Sequence, residues 1–218
     1  MQKKDTFTDT EVAHYEKNRY RGLDQRMVHH REKRILERIF DGMGEKSGFA
    51  LDIPCGYGRF TLLLHRQGFT PVSSDYSFSM VKRALKSYPD MPLHGGFIAD
   101  AKNQLPLKDG TAEVILSMRF FHHIHNERER GAVLSEFSRV TRKWVVLSFY
   151  QSTPIHLLQR LLRRIFKRTR RKIKMIDQRE FEQALKGTSL RIEKIYPLFR
   201  GIHAQRIALL RNESAGLP

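Results

Sequence analysis

Between positions 49 and 150, short apolar runs alternate with stretches of helical spacing, and this alternation constrains the fold more than any other feature of the chain. Runs at 49–53, 70–75, 96–99, 112–118 and 144–150 have the length of buried strands. Between them, 59–67, 77–87 and 128–140 bring apolar residues onto one helical face, as with Met80, Val81, Ala84 and Leu85, or Val133, Leu134 and Phe137. Strands that each feed a helix predict an α/β fold on a mostly parallel sheet, with helices on both faces. At 218 residues and 40% hydrophobic content, the chain is long enough for one buried core and short for two full domains.

The flanks read differently. Residues 24–40 predict a helix with Met27, Ile35, Leu36 and Ile39 on one side, closed by the glycines of DGMGEKSG. After position 150, Ser152 or Thr153 is placed to cap a helix with Pro154 in its first turn. Leu158, Leu161, Leu162 and Ile165 then fall on one side and Arg160, Arg163, Arg164, Lys167 and Arg168 on the other. A helix over 177–186 and strands over 190–196 and 203–210 follow. The expected organisation is a helical segment at 1–44, a ligand-binding core at 45–150, a basic amphipathic insertion at 151–176, and a helix with antiparallel strands at 177–218 that completes the same domain.

The formal charge of +17 favours polyanionic neighbours, whether nucleic acid, anionic lipid or acidic metabolites. No apolar run approaches the roughly 18–20 residues of a membrane-spanning helix. The start MQKKDTFTDTE has no signal-peptide core. The expected location is therefore the cytoplasm. One cysteine, Cys55, excludes an internal disulfide framework.

The stretch LDIPCGYG ends the first apolar run in a glycine turn, where backbone can approach a ligand closely. A dinucleotide fingerprint requires a third glycine or alanine where this chain has Thr61, and no Gly-Lys-Ser/Thr follows as in a P-loop. What remains is an acid before the turn, Asp52, and another after the second strand, Asp75. Carboxylates at strand ends suit an amine and a ribose diol better than a diphosphate.

LDIPCGYG resembles the first motif of class I S-adenosylmethionine-dependent methyltransferases, and DYSFSMVKRA is similar to their second segment. IADAKNQLPLKDG resembles the third, while AEVILSMRFFHHI and EFSRV resemble later segments of the small-molecule branch that includes the ubiquinone/menaquinone-biosynthesis enzymes. The likeness spans 49–150 in the correct order. It implies a Rossmann-like sandwich on a mostly parallel seven-stranded sheet, and S-adenosylmethionine as cofactor. Gly56 and Gly58 would then permit close approach beside Pro54 and Cys55, with Asp52 near the cofactor's amino-acid end. Asp75 would bind the ribose hydroxyls and Tyr76 cover the adenine, Asp100 and Ala101 would meet the adenine edge, and Met118 and Arg119 would flank the cofactor from the fourth strand.

Three departures from that pattern stand out. Pro54 occupies a usual glycine position, Ala112-Glu113 replaces Phe-Asp, and Thr141-Arg142-Lys143 replaces a Lys-Pro-Gly-Gly turn. Just past the fourth strand, His122 and His123 are the candidate general bases, since neutral imidazole suits proton abstraction near pH 7. With His125 they lack a carboxylate at ligand spacing, so no metal site is expected. The expected acceptor is a small or lipid-linked molecule, with residues 154–174 in peripheral contact with the anionic inner membrane surface. RNA methylation is the second reading, although SMRF does not match the Asp/Asn-Pro-Pro-Tyr element of base-nitrogen enzymes. A non-catalytic binding module that keeps the fold is the third.

Overall fold

The computed structural model describes residues 23–44, 46–92, 94–151, 175–201 and 203–216. Helix α1 (Leu23–Asp41) precedes β1 (Phe49–Asp52), α2 (Thr61–Arg66), β2 (Thr70–Asp75), α3 (Phe78–Lys86), β3 (Gly95–Ile98) and β4 (Ala112–Ser117). A 3₁₀ turn (Phe121–His123) leads to α4 (Glu127–Val140), β5 (Thr141–Tyr150), α5 (Gln178–Leu185), β6 (Leu190–Pro197) and β7 (Gln205–Asn212), and a second 3₁₀ turn (Glu213–Gly216) follows. The seven strands form one sheet in the order β3-β2-β1-β4-β5-β7-β6. The first five pair in parallel, and β7 enters antiparallel against both β5 and β6. The expected basic helix over 154–174 lies outside the described residues.

The central strands are apolar on both faces because helices cover both. Along β4, Val114 and Leu116 face one side while Ile115 faces the other, and β5 repeats this with Val146 against Val145, Leu147 and Phe149. Ile207 and Leu209 of β7 join the first side, Ala208 and Leu210 the second. Ile35, Leu36, Ile39 and Phe40 of α1, with Leu63 and Leu64 of α2, close the first layer. Val133, Leu134 and Phe137 of α4, with Phe181 and Leu185 of α5, close the other. Each such side chain, fully buried, contributes about 1.5–3 kcal/mol of transfer free energy, so the two layers hold the sheet rigidly beneath its strand ends.

Two boundaries differ from expectation. Met27 is 62% exposed, and Glu32, fully buried, takes its place on the inner face of α1. The strand expected from position 144 begins at Thr141, so α4 passes directly into β5. The reason lies across the sheet, where the nearly buried Glu113 of β4 forms ion pairs with both Arg142 and Lys143. Thr141 adds a hydrogen bond from its Oγ1 to the Trp144 carbonyl at 2.9 Å. Two departures from the family pattern are thus partners of each other.

Candidate active site

The strand order reverses between β1 and β4, because the chain runs outward from β1 through β2 to β3 and then returns to β4 on its other side. Ligands of open parallel sheets gather at such a switch point, beyond the carboxyl ends of the strands. A cleft of about 450 Å³ lies there, lined by residues that include Asp52, Pro54, Gly56, Asp75, Met118 and His122, a volume within the range of small-molecule sites.

The turn after β1 forms one wall. Gly56 has φ +54, and a Cβ on it would meet nothing within 4 Å among the described residues, so its backbone is bare toward them. Gly56 N–H donates to Asp75 Oδ2 at 3.0 Å, and Ser77 N–H donates to Asp75 Oδ1 at 3.0 Å. Burial raises the Asp75 carboxyl, and these backbone donors oppose the shift. Each oxygen still has a lone pair for a further donor.

Asp52 is 2% exposed, and its Oδ2 accepts no hydrogen bond among the described residues. Burial pushes its carboxyl up to about 8; the Arg59 charge opposes the shift and Asp75 adds to it. A buried carboxylate oxygen without a donor, on the wall of a cleft, fits an incoming ammonium group. Beside it, the Cys55 thiol is raised well above its usual range by burial and then by the two aspartates, so it stays protonated and does not serve as a nucleophile.

A cluster of rings also lines the cleft. His122 and His123 lie with centroids 4.0 Å apart, and His122 meets Tyr150 nearly edge-on at 4.7 Å. Phe60 also lines the cleft, with the Arg59 guanidinium 4.2 Å from its ring centroid. His122 is held by the 3₁₀ turn after β4, and Tyr150 is the last residue of β5.

Asp52, Pro54, Cys55, Gly56, Asp75, Met118, Arg119, His122 and His123 all line this cleft. Four expected residues do not. Gly58 lies against α3, where a Cβ would stand 2.9 Å from Ala84 Cα; its lack of a side chain serves helix packing. Ala101 is buried in the core, and Asp100 closes its own turn by accepting from the Lys102 N–H at 3.0 Å. Tyr76 is 45% exposed, outside the lining.

Tyr57, Arg59, Phe60 and Tyr150 join the lining without having been anticipated. The first three belong to the glycine turn and its helix, so their distance of a few residues from Gly56 was the available signal. Glu32 gave none. It accepts from Arg119 Nε and Nη2 at 2.8 Å each, from Gln205 Nε2 at 2.7 Å, and from Arg59.

Residues 51–149 match the model of a methyltransferase domain. No curated protein matches the chain. Among solved structures, magnesium protoporphyrin IX methyltransferase from Synechocystis PCC 6803 with bound S-adenosylhomocysteine superposes with a TM-score of 0.72 at 17% identity, covering 94% of this chain and 100% of the other. A protein from Pyrococcus horikoshii OT3 gives 0.70 at 18% identity, covering 95% and 100%. Geranyl diphosphate C-methyltransferase from Streptomyces coelicolor A3(2), in complex with Mg2+, geranyl diphosphate and S-adenosylhomocysteine, gives 0.60 at 13% identity, covering 84% and 79%.

Proposed function

We propose, from the premise that this chain carries a class I S-adenosylmethionine-dependent methyltransferase domain, that it methylates a small or lipid-linked acceptor seated against the ring wall of the cleft. The observation that carries this reading is that one cleft is lined both by two carboxylates, Asp52 and Asp75, and by rings, Phe60, His122, His123 and Tyr150. The carboxylates match the amine and ribose of the cofactor. The rings offer an acceptor flat apolar faces and little hydrogen-bonding readout of a nucleobase.

The cofactor supplies an electrophilic methyl carbon on a sulfonium, so the protein's part is alignment and exclusion of water. Asp75 accepts from the sugar hydroxyls while its other contacts keep the glycine turn in place. Asp52 faces the ammonium, and the bare backbone at Gly56 lets the ligand lie against the turn. Phe60 and Tyr150 hold the acceptor in line and displace water. Where the acceptor atom must lose a proton, His122 is placed to take it, with its ring fixed between His123 and Tyr150.

The lipid-linked form of the reading draws on the sequence leaving Tyr150, whose apolar and arginine-rich residues follow directly on a cleft-lining position. The test combines calorimetry of S-adenosylhomocysteine binding with methyl transfer from labelled cofactor to a panel of quinols, phenols and isoprenoid acceptors. Flotation with phosphatidylglycerol vesicles separates the lipid-associated form from a soluble one. Absence of cofactor binding, or transfer to RNA alone, would reject the proposal.

A further inference from the structure

Two arginines are buried among the described residues, and only one of them meets an acid there. Arg130 of α4 lies 3.9 Å from the Glu180 carboxylate. Arg206, near the start of β7, is 9% exposed and meets no carboxylate among the described residues. Its Nε donates to Gln151 Oε1 at 3.0 Å, and its Nη1 donates to the carbonyls of His203 at 2.6 Å and Gln205 at 3.2 Å, while Nη2 makes no hydrogen bond among those residues. These acceptors are neutral. They fix the plane of the guanidinium without cancelling its charge. Burial works against that charge, yet a guanidinium stays protonated in proteins. The chain that leaves β5 does not supply the missing acid, because positions 151–176 contain no Asp or Glu. Arginines are almost never this buried without a partner of opposite charge.

Strand pairing sets where this charge stands. β7 runs antiparallel to β5, with Gln205 opposite Tyr150 and Arg206 opposite Phe149, and Pro197 at the end of β6 pairs with Arg206 from the other side. The start of β7 and the β6–β7 connection therefore lie at the carboxyl end of the parallel strands, the end that carries the cleft. A row of rings leads there. Between centroids, His122 meets Tyr150 at 4.7 Å, Tyr150 meets His203 at 6.2 Å and His203 meets Phe199 at 6.3 Å. His203, whose ring continues the row, gives its carbonyl to Arg206. Gln151, which holds Nε, directly follows the cleft-lining Tyr150. The row of rings and the uncompensated charge thus share their supporting residues.

We infer that Arg206 docks an anionic group of the acceptor, a carboxylate or a phosphate, while the acceptor's apolar body lies along Tyr150 and His203. The inference rests on the methyl-transfer reading above and narrows its acceptor to an elongated molecule with one acidic end. Guanidinium planes match carboxylate and phosphate alike, and a plane already fixed by three hydrogen bonds keeps that match without further ordering. An anchor remote from the reacting atom also decides which end of a flat acceptor is presented at His122, and so contributes to alignment. Gln151 is a positioning residue that acts through Arg206.

Calorimetry on the S-adenosylhomocysteine-loaded protein tests this with three series of increasing chain length: phenylalkanoates, phenylalkyl phosphates and the neutral phenylalkanols. At one length the wild type binds an acid about 10- to 100-fold more tightly than the matching alcohol, the range of a charged hydrogen bond. Preference within the carboxylate series or within the phosphate series identifies the group. Arg206→Gln abolishes the preference and leaves alcohol binding unchanged. Arg206→Lys, which keeps the charge without the fork, and Gln151→Leu weaken it by smaller factors. Arg200→Gln removes an exposed charge from the same connection and leaves the preference intact, which separates docking from the general attraction of a basic protein for anions. A circular dichroism melt checks folding, and the wild-type preference with Arg206→Lys decides if Arg206→Gln does not fold. Equal binding of acids and alcohols overturns the inference, as does binding of none of the three series. It is also overturned if the Arg206 variants lose acids and alcohols alike, or if Arg200→Gln matches Arg206→Gln. Failure to bind S-adenosylhomocysteine itself rejects the cofactor reading before any acid is added, and this inference with it.

Discussion

Asp75 Oδ2 accepts the Gly56 backbone N–H at 3.0 Å, so the carboxylate at the end of β2 also anchors the turn after β1. One side chain both shapes the floor of the cleft and presents its remaining lone pairs to a ligand. Asp75→Asn keeps one acceptor oxygen and removes the charge. The expected outcome is a fold that melts within a few degrees of the wild type and an affinity for S-adenosylhomocysteine about 10- to 100-fold lower, as for loss of a charge-assisted hydrogen bond. Calorimetry beside a thermal melt checks both halves.

Asp52 makes ligand binding depend on pH. Its carboxyl, pushed up to about 8 by burial, is protonated at neutral pH in the free protein. An ammonium arriving at Oδ2 favours the ionised form, so binding at pH 7 releases up to one proton. Affinity for S-adenosylhomocysteine then rises as pH increases toward 8 and levels off above it. Calorimetry at pH 7 in buffers of different ionisation enthalpy measures the proton directly, and Asp52→Asn abolishes its release. Stability runs the other way. The folded carboxyl lies above its unfolded value, so its stabilising contribution is complete below about 4 and is lost as pH rises through about 8.

The two glycines of the turn separate packing from ligand approach. At Gly58, with φ +82, a methyl group would stand 2.9 Å from Ala84 Cα and 3.0 Å from Ala84 Cβ. Gly58→Ala is expected to cost about 2–4 kcal/mol, from the left-handed backbone and from overpacking together. At Gly56, with φ +54, the same methyl meets no atom of the described residues within 4 Å. Gly56→Ala costs only the backbone part, about 1–2 kcal/mol, yet its methyl takes up space beside the cleft. Denaturant titrations therefore single out Gly58, and cofactor affinity singles out Gly56.

The strand-helix alternation was legible because burial on both faces demands near-continuous apolar strands, and those runs stand out in any charge-rich chain. The strand-end acids Asp52 and Asp75 were legible for the same reason: they are charged residues where apolar runs stop. Glu32 was not. On α1 it is one charge among many, and the groups that make its burial tolerable, Arg59, Arg119 and Gln205, lie 27, 87 and 173 positions away. Glu113 hid in the same way behind Arg142 and Lys143, so a break between α4 and β5 was expected where the chain continues. Long-range ion pairs leave no periodic trace. Asp100 and Ala101 show the converse, since a matching motif indicates a loop's neighbourhood without fixing which of its side chains face the cleft.

The Glu113 pairing also predicts a stability effect detached from the site. Arg142 and Lys143 are half exposed and Glu113 is 4% exposed, so Glu113→Gln leaves two cations without their anchor where the strand begins. Partly screened pairs of this kind contribute on the order of 1 kcal/mol. A fall of a few degrees in Tm is expected, with no change in S-adenosylhomocysteine affinity, because β4 meets Arg142 at the end of the sheet remote from the cleft. Replacing Arg142 in the Glu113→Gln background should add less than it does alone.

His122 carries the last expectation. Its ring is packed 4.0 Å from His123 and 4.7 Å from Tyr150, so deletion to alanine confounds a lost base with a collapsed wall. His122→Phe keeps a flat ring of similar size in that stack and removes both nitrogens. With an acceptor that must lose a proton, kcat is expected to fall about 10²- to 10⁴-fold, the usual contribution of a general base, while S-adenosylhomocysteine affinity stays at the wild-type level. The residual rate should recover as pH is raised, because hydroxide or an already ionised acceptor replaces the missing base. If His122→Phe and the matching His123→Phe both turn over normally on such an acceptor, the imidazoles only wall the chamber, and proton removal belongs to solvent or to the acceptor itself.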